Sequence, residues 1–356
     1  MKIVILGSTG SVGRNVLEVC KNLEDIEVCG ITANKGIELF DKQLQYIRPQ
    51  KAVIADGDSY KKYLDSFDNN FTDLFCGSEK IIELVETDEV DMVVNALSGI
   101  AGLEPTIRAL KKGKKVATAN KESIVMGWNL IKDNIKYQDQ LIPVDSEHSA
   151  IYQSIKGEIK ENIKKIILTA SGGAVYNLST RELEKVKVND CLSHPTWDMG
   201  HKITIDSSTL MNKGFEIIEA HNLFSIDYSK IEVFIHPQSL VHGMVEYIDG
   251  SIIAHISQTD MKLPIQYALT HPFRKKSPVR RLSIDEMNKL EFFRPDEEKF
   301  SCLKIAVQAG KQGGIKPIIL CAADEVAVEA FSKGKIGFTD IPKIVENAMH
   351  EELDYP

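Results

Sequence analysis

The sequence predicts an α/β protein: an N-terminal, mostly parallel sheet with helices on both faces, a central α+β region, and a small helical C-terminal region. Three observations carry this expectation. Short apolar runs alternate with helical stretches over residues 1–145. The pattern then changes to strands separated by glycine and polar turns, and after Phe300 apolar residues recur at helical spacing. A chain of 356 residues is long enough for two or three domains with a sizeable core. The expected division is 1–145, 146–290 and 291–356.

The chain opens with the apolar run Lys2–Leu6, then Gly7-Ser8-Thr9-Gly10-Ser11-Val12-Gly13, then a helical run from Asn15. Strand, glycine turn and helix in that order are the opening unit of a Rossmann-type dinucleotide-binding domain. The glycines let the backbone turn tightly and approach a pyrophosphate, and the helix N-terminus offers N–H groups and a positive dipole end to that anion. The glycine spacing alone is a weak signal, and a plain strand–helix turn is the alternative. A second strand, Ile26–Ala33, ends at Asn34-Lys35-Gly36, where an NAD site places an acid for the ribose 2′-hydroxyl. No acid stands there before Glu38. Lys35 suits a 2′-phosphate, so NADPH is expected over NADH; the alternative is a solvated loop lysine. Further strands are expected at Lys51–Ala55, Met92–Asn95, Lys115–Ala117 and Leu141–Val144. The loops Asn95–Gly99 and Thr118–Ser123 follow strand carboxyl ends, where such sheets bind ligands, and are candidates for the nicotinamide side.

From residue 146 a helix is expected over Ser149–Ile155, a strand over Lys165–Ala170, then the glycine loop Ser171-Gly172-Gly173. A helix over Thr209–Leu223 and an antiparallel group, Ile231–Ile235, Gly243–Tyr247 and Ser251–Ile256, follow, with Asp249-Gly250 as the hairpin signal. Near the end, Thr339 or Asp340 is expected to cap the last helix.

Three segments carry chemistry. In Pro143-Val144-Asp145-Ser146-Glu147-His148, extended backbone would turn Asp145 and Glu147 to one side. Two close carboxylates repel unless a cation lies between them, and a hard divalent ion is the natural occupant. As a bare pattern Asp-x-Glu is common without any ion. In Asp206-Ser207-Ser208-Thr209-Leu210-Met211-Asn212-Lys213-Gly214-Phe215-Glu216, Asp206 or Ser207 would cap the following helix. Asn212 and Glu216 share a helix face there, with Lys213 beside them. That face suits a phosphate held by Ser207, Asn212 and Lys213 with Glu216 reaching a metal, and it equally suits a solvated polar face. In His194-Pro195-Thr196-Trp197-Asp198-Met199-Gly200, Trp197 reads as a lid over a ligand hinged at Gly200, or as a core tryptophan beside a turn.

Bulk properties exclude several classes. The net charge of −8 disfavours a non-specific binder of nucleic acid or anionic membrane, so any phosphate site must be built locally. No apolar run reaches the ~18 residues a membrane span needs, and Lys2–Leu6 is too short for a signal-peptide core, so no leader is expected. Six scattered cysteines without a Cys-x-x-Cys pair suit a reducing, cytoplasmic setting and neither a disulfide framework nor a structural zinc site.

Over essentially its whole length the sequence resembles the 1-deoxy-D-xylulose 5-phosphate reductoisomerases of non-mevalonate isoprenoid synthesis. The matching motifs are the glycine turn at Gly7–Gly13, Ala119-Asn120-Lys121-Glu122, Pro143–His148, Ser171-Gly172-Gly173, His194–Gly200, Asp206–Glu216, Gln238–Val245 and Ala323–Val328. The resemblance implies an oxidoreductase that rearranges 1-deoxy-D-xylulose 5-phosphate and reduces the product with NADPH and Mg²⁺ or Mn²⁺. It places the metal on Asp145, Glu147 and Glu216, with catalytic roles for Glu147, Lys121, His194 and Glu216. It places the phosphosugar at Ser146, Glu147, Ser171, His194, Trp197, Ser207, Asn212, Lys213 and Glu216. The cofactor falls to Gly7, Thr9, Gly10, Ser11, Val12, Lys35, Asn120, Lys121, Glu122 and Gly200, and the implied assembly is a homodimer. Two departures stand out: Ala174-Val175 replaces a common Pro-Phe, and Asn34-Lys35-Gly36 replaces Gly-Lys-Asn. Two rivals remain. A semialdehyde-dehydrogenase-like reductase would need a nucleophilic cysteine near the nicotinamide, and no cysteine lies in such a motif. A non-catalytic NADPH sensor would need no metal carboxylates.

Overall fold

The structure, a computed structural model, describes residues 1–193, 196, 197 and 199–351. The chain forms two compact units: Met1–Ser123 with Gly127–Asp145 and Asp260–Arg280, and Ile124–Met126 with Ser146–Thr259 and the chain from Arg281 on.

The first unit alternates β1 (Lys2–Leu6), α1 (Ser11–Cys20), β2 (Glu27–Ala33), α2 (Ile37–Ile47), β3 (Lys51–Ile54), α3 (Gly57–Ser66), β4 (Asp73–Cys76), α4 (Ser78–Glu86), β5 (Met92–Asn95), α5 (Leu103–Lys111), β6 (Lys115–Thr118), α6 (Lys121–Lys132) and β7 (Leu141–Pro143). Among the described residues these strands form one seven-stranded sheet, in the order β4-β3-β2-β1-β5-β6-β7. Every neighbouring pair is parallel. A parallel sheet covered on both faces buries both sides of its central strands, and Ile3, Val4, Ile5, Leu6, Val93 and Val94 are all fully buried. Strand β4 was not anticipated: Asp73-Leu74-Phe75-Cys76 is a short, half-exposed edge strand.

The second unit contains α7 (Ser146–Ser154), β8 (Ile163–Ala170), α8 (Thr180–Leu183), α9 (Val188–Leu192), α10 (His201–Thr209), α11 (Met211–Phe224), β9 (Ile231–Ile235), β10 (Val241–Tyr247) and β11 (Ile252–Ile256). After α12 (Lys262–Thr270), which packs on α1 in the first unit, the chain ends with α13 (Cys302–Gln312), α14 (Lys316–Ser332) and α15 (Asp340–His350) in the second. Its sheet runs β11-β10-β8-β9. One face buries Ile166, Leu168, Val233 and Ile235 in a core shared with Phe215 of α11 and Leu303 of α13.

Four expectations need correction. The three strands expected as one antiparallel group are not contiguous: β10 and β11 pair antiparallel, but β8 lies between β10 and β9, antiparallel to the first and parallel to the second, because α8–α11 carry the chain back between β8 and β9. Glu147 does not lie in extended backbone after Asp145 but in the first turn of α7. Asp206 and Ser207 cap nothing: they lie inside α10, whose N-cap is Gly200. The helix expected over Thr209–Leu223 is two helices, broken at Leu210, which adopts a left-handed conformation with φ 60°.

Candidate active site

In the first unit the glycine turn is built as its sequence demands. Gly7 has φ +78°, and a Cβ there would stand 2.8 Å from the Ala96 carbonyl oxygen. A Cβ on Gly13 would fall 2.2 Å from the Gly7 oxygen, so only glycine lets α1 start this close to the turn. No side chain caps α1 at Gly10, which leaves the helix start to present backbone N–H groups at Ser11 and Val12. Residues that sequence reasoning missed lock the turn. The Thr32 hydroxyl accepts from the Gly7 N–H at 2.9 Å, the Ser8 hydroxyl donates to Gln43 Oε1 at 2.7 Å, and Gln43 Nε2 donates to the Ser8 carbonyl at 2.9 Å. The one available signal was a polar Gln43 on the buried face of α2, between Phe40 and Leu44.

Beside the turn is a groove of about 1240 Å³ bounded by Gly7, Thr9, Gly10, Asn34, Ala96 and Ser98. Lys35 is exposed on the loop between β2 and α2. Asn120 is fully buried, and its side chain is spent on the loop after β5. Nδ2 donates to the Leu97 and Gly99 carbonyls, both at 2.8 Å, while Oδ1 accepts from the Ser123 N–H. A cofactor would therefore meet the Asn120 backbone and the loop it shapes. Lys121 opens α6 and pairs with Asp145 at 2.8 Å, both largely buried; Glu122 beside it is half-buried.

In the second unit the polar segments converge through α7 and α11. The Ser146 hydroxyl donates to Glu147 Oε2 at 2.6 Å, and Lys213 Nζ donates to Glu147 Oε1 at 3.0 Å. Lys213 also bonds Glu216, and the Asn212 amide donates to the same Glu216 carboxylate. The side chains of Lys213 and Glu216 are only 4 % and 1 % exposed. Two carboxylates thus share one buried ammonium, a net negative cluster that a divalent cation would neutralise. His148 Nε2 bonds the Glu216 carbonyl at 2.9 Å, tying α7 to α11 one residue after Glu147. Ser171, after β8, accepts from the Gly173 N–H at 3.2 Å, and Ser207 is half-buried on α10. Gly200 is exposed at the head of α10, with its carbonyl accepting from the Thr204 hydroxyl.

Trp197 is half-buried, with its ring edge on His242, centroids 6.0 Å apart, and the Thr196 hydroxyl lies 3.3 Å from that of Ser239. Burial, then the nearby His255 ring, pushes His242 down to about 4, so it is neutral near pH 7. His194 lies outside the described residues.

Sequence profiles of known families match three stretches: 1-deoxy-D-xylulose 5-phosphate reductoisomerase over residues 3–127, its C-terminal domain over 141–224, and a further DXP reductoisomerase C-terminal domain over 256–355. A 1-deoxy-D-xylulose 5-phosphate reductoisomerase of Halothermothrix orenii is 44% identical across 100% of this chain and 93% of its own length. That of Thermoanaerobacter pseudethanolicus is 46% identical across 98% and 92%. A crystal structure of DOX-P reductoisomerase with NADPH, fosmidomycin and magnesium superimposes with a TM-score of 0.94 at 37% identity, covering 99% of this chain and 90% of that one. The Zymomonas mobilis enzyme with NADPH gives 0.90 at 38%, covering 100% and 93%. With the fold, the glycine turn and the Glu147–Lys213–Glu216 cluster in place, these matches settle the lineage: the chain belongs to the 1-deoxy-D-xylulose 5-phosphate reductoisomerase family.

Proposed function

We propose that this chain converts 1-deoxy-D-xylulose 5-phosphate, NADPH and a proton into 2-C-methyl-D-erythritol 4-phosphate and NADP⁺, with a divalent metal, in isoprenoid precursor synthesis. The observation that carries the reading is the buried cluster of Glu147, Glu216 and Lys213, on a chain that also has the glycine turn and its groove. Asp145, Glu147 and Glu216 are the carboxylates that would hold Mg²⁺ or Mn²⁺. The bound ion would supply Lewis acidity toward the substrate's carbonyl and hydroxyl oxygens.

The chain's own residues do the rest. Ser146, Asn212 and Lys213 orient the phosphosugar, with Ser171 and Ser207 at its phosphate, so remote binding energy fixes the reacting carbons. His194 is assigned to the substrate with them, and Trp197 covers the site and excludes water. Gly7, Thr9, Gly10, Ser11 and Val12 receive the pyrophosphate, and Lys35 meets the 2′-phosphate. Asn120, Lys121, Glu122 and Gly200 border the nicotinamide. Catalytic roles fall to Glu147, Glu216, Lys121 and His194. We divide the labour as 1–145 for the cofactor, 146–290 for metal and substrate except Asp260–Arg280, which packs with the first unit, and 291–356 as the helical end of the second unit.

We assign a homodimer to the assembly. Strand β11 is a sheet edge whose Ile252, Ile253 and Ile256 are 55%, 42% and 38% exposed, a surface that a second copy would cover. A cytoplasmic setting fits six cysteines of which none forms a disulfide among the described residues. Among the described residues no helix is long and apolar enough to cross a membrane.

The deciding assay follows NADPH oxidation with 1-deoxy-D-xylulose 5-phosphate, with and without Mg²⁺ or Mn²⁺. Turnover that requires both substrate and metal is expected. Absence of turnover at saturating NADPH, substrate and metal overturns the reading. Light scattering tests the dimer, which a monomeric mass would refute.

A further inference from the structure

The proposed site leaves one buried ionic cluster unused. Lys202, in the first turn of α10, places Nζ 2.6 Å from Asp206 one turn further along and 2.5 Å from Asp324 in α14. The Asp324 and Asp206 side chains are 0% and 5% exposed, and the ammonium lies 5.4 Å from the Phe215 ring centre on α11. Burial alone would lower the lysine, but the two carboxylates outweigh it and hold Lys202 above its ordinary value, so it stays charged. Two of the three N–H donors of this ammonium go to carboxylates on different helices, so its geometric effect is to fasten α10 to α14.

What α10 carries gives that fastening a purpose. Ser207 follows Asp206 directly. The Ser171 loop leans on the same turn: Gly173 has φ +72°, and a Cβ there would lie 2.7 Å from the Ser208 Cα and 2.8 Å from the Ser207 carbonyl oxygen. No side chain separates the loop from the helix, so a shift of α10 moves Ser207 and Ser171 together.

We propose that Asp324 and Lys202 are positioning residues: the C-terminal helix α14, through this ion cluster, sets the two serines that receive the phosphate end of the substrate. This rests on the assignment of Ser207 and Ser171 to a phosphate. The cost of breaking the cluster should fall on the binding of the phosphate, because its ion pairs join α10, which carries Ser207, to α14.

The test uses the full-length enzyme with two conservative variants, Asp324→Asn and Lys202→Gln, so that one remains informative where the other does not fold. Calorimetric titration of inorganic phosphate and steady-state kinetics are run side by side. Each folded variant should weaken phosphate binding and raise the substrate KM by about tenfold, the scale of a small misplacement of binding groups. The change in kcat should be smaller and the NADPH affinity unchanged. Lys202→Arg, which keeps the charge, should recover most of the loss. Phosphate affinity and KM equal to wild type in a folded variant would overturn the inference, as would an equal loss of NADPH binding, which marks general destabilisation. A wild-type enzyme that binds phosphate but does not turn over 1-deoxy-D-xylulose 5-phosphate would overturn the proposed function instead, and the phosphate titration would still decide the role of Asp324.

Discussion

Replacing Lys213 by Met exposes how the acidic cluster is balanced. In the structure its ammonium is 3.0 Å from Glu147 Oε1 and also bonds Glu216, with the lysine side chain 4 % exposed. Methionine keeps the length and bulk and removes only the charge, so Glu147 and Glu216 face each other without the ammonium, while the Ser146 hydroxyl and the Asn212 amide still donate to them. Removing one partner of a buried ionic cluster costs about 3–5 kcal/mol, because the charges left behind stay desolvated. At about 2–4 °C per kcal/mol for a cooperative unit of this size, the melting temperature in EDTA should fall by about 10 °C. A divalent cation takes over the neutralisation. At a hundred times its Kd, Mg²⁺ should return about 2.7 kcal/mol to the variant. The assay is a thermal melt of wild type and variant in EDTA and across a Mg²⁺ titration. A drop below about 2 °C in EDTA, or a Mg²⁺ response no larger than wild type's, refutes the claim that Lys213 neutralises two carboxylates that also accept a metal.

Three further outcomes are expected. Lys35→Ala should cost NADPH most of its advantage over NADH in kcat/KM while leaving NADH kinetics unchanged; an unchanged ratio removes Lys35 from the 2′-phosphate. Trp197→Ala should cost a phosphonate hydroxamate inhibitor on the order of 1–3 kcal/mol of affinity with little change in melting temperature; a large stability loss with unchanged Kd would make Trp197 a packing residue. His242 ionises near 4 in the folded protein against an ordinary 6.5, so the unfolded chain binds the extra proton between those values. Its contribution is therefore full above about pH 6.5 and is lost as pH falls toward 4, about 3 kcal/mol in all. His242→Asn should flatten that part of the stability curve, and an identical acid slope in wild type and variant would contradict the assigned burial.

What was legible in the sequence was local. The glycine turn announced itself because strand, turn and helix are contiguous, and the Asn212–Glu216 pair because residues four apart on a helix meet; the structure shows that hydrogen bond. What failed was also local but ambiguous. Asp206-Ser207-Ser208-Thr209 looks like a cap, because these residue types favour caps, yet Asp206 spends its carboxylate on Lys202 within the helix. The true break at Leu210 is a left-handed leucine with no glycine or proline to signal it. Beyond reach were partners distant in sequence: Lys213 with Glu147, Lys202 with Asp324, and Gln43 with Ser8. Only the chain's path brings these together, and periodicity carries no information about that path.

The same distant pairs explain how an acidic protein receives an anionic substrate. Glu147 and Glu216 with Lys213 sum to −1, which alone would repel a phosphosugar. On the proposed assignment, a divalent cation on those carboxylates would turn the local sum to +1, so metal and phosphosugar would each favour the other's binding. The coupling needs lysine as well as carboxylate. With acids alone, the metal would bind tightly but the protein would carry an unbalanced buried charge without it; with the lysine, the metal-free fold stays tolerable. Lys213 is in this view the residue that lets one buried cluster be stable empty and attractive when loaded.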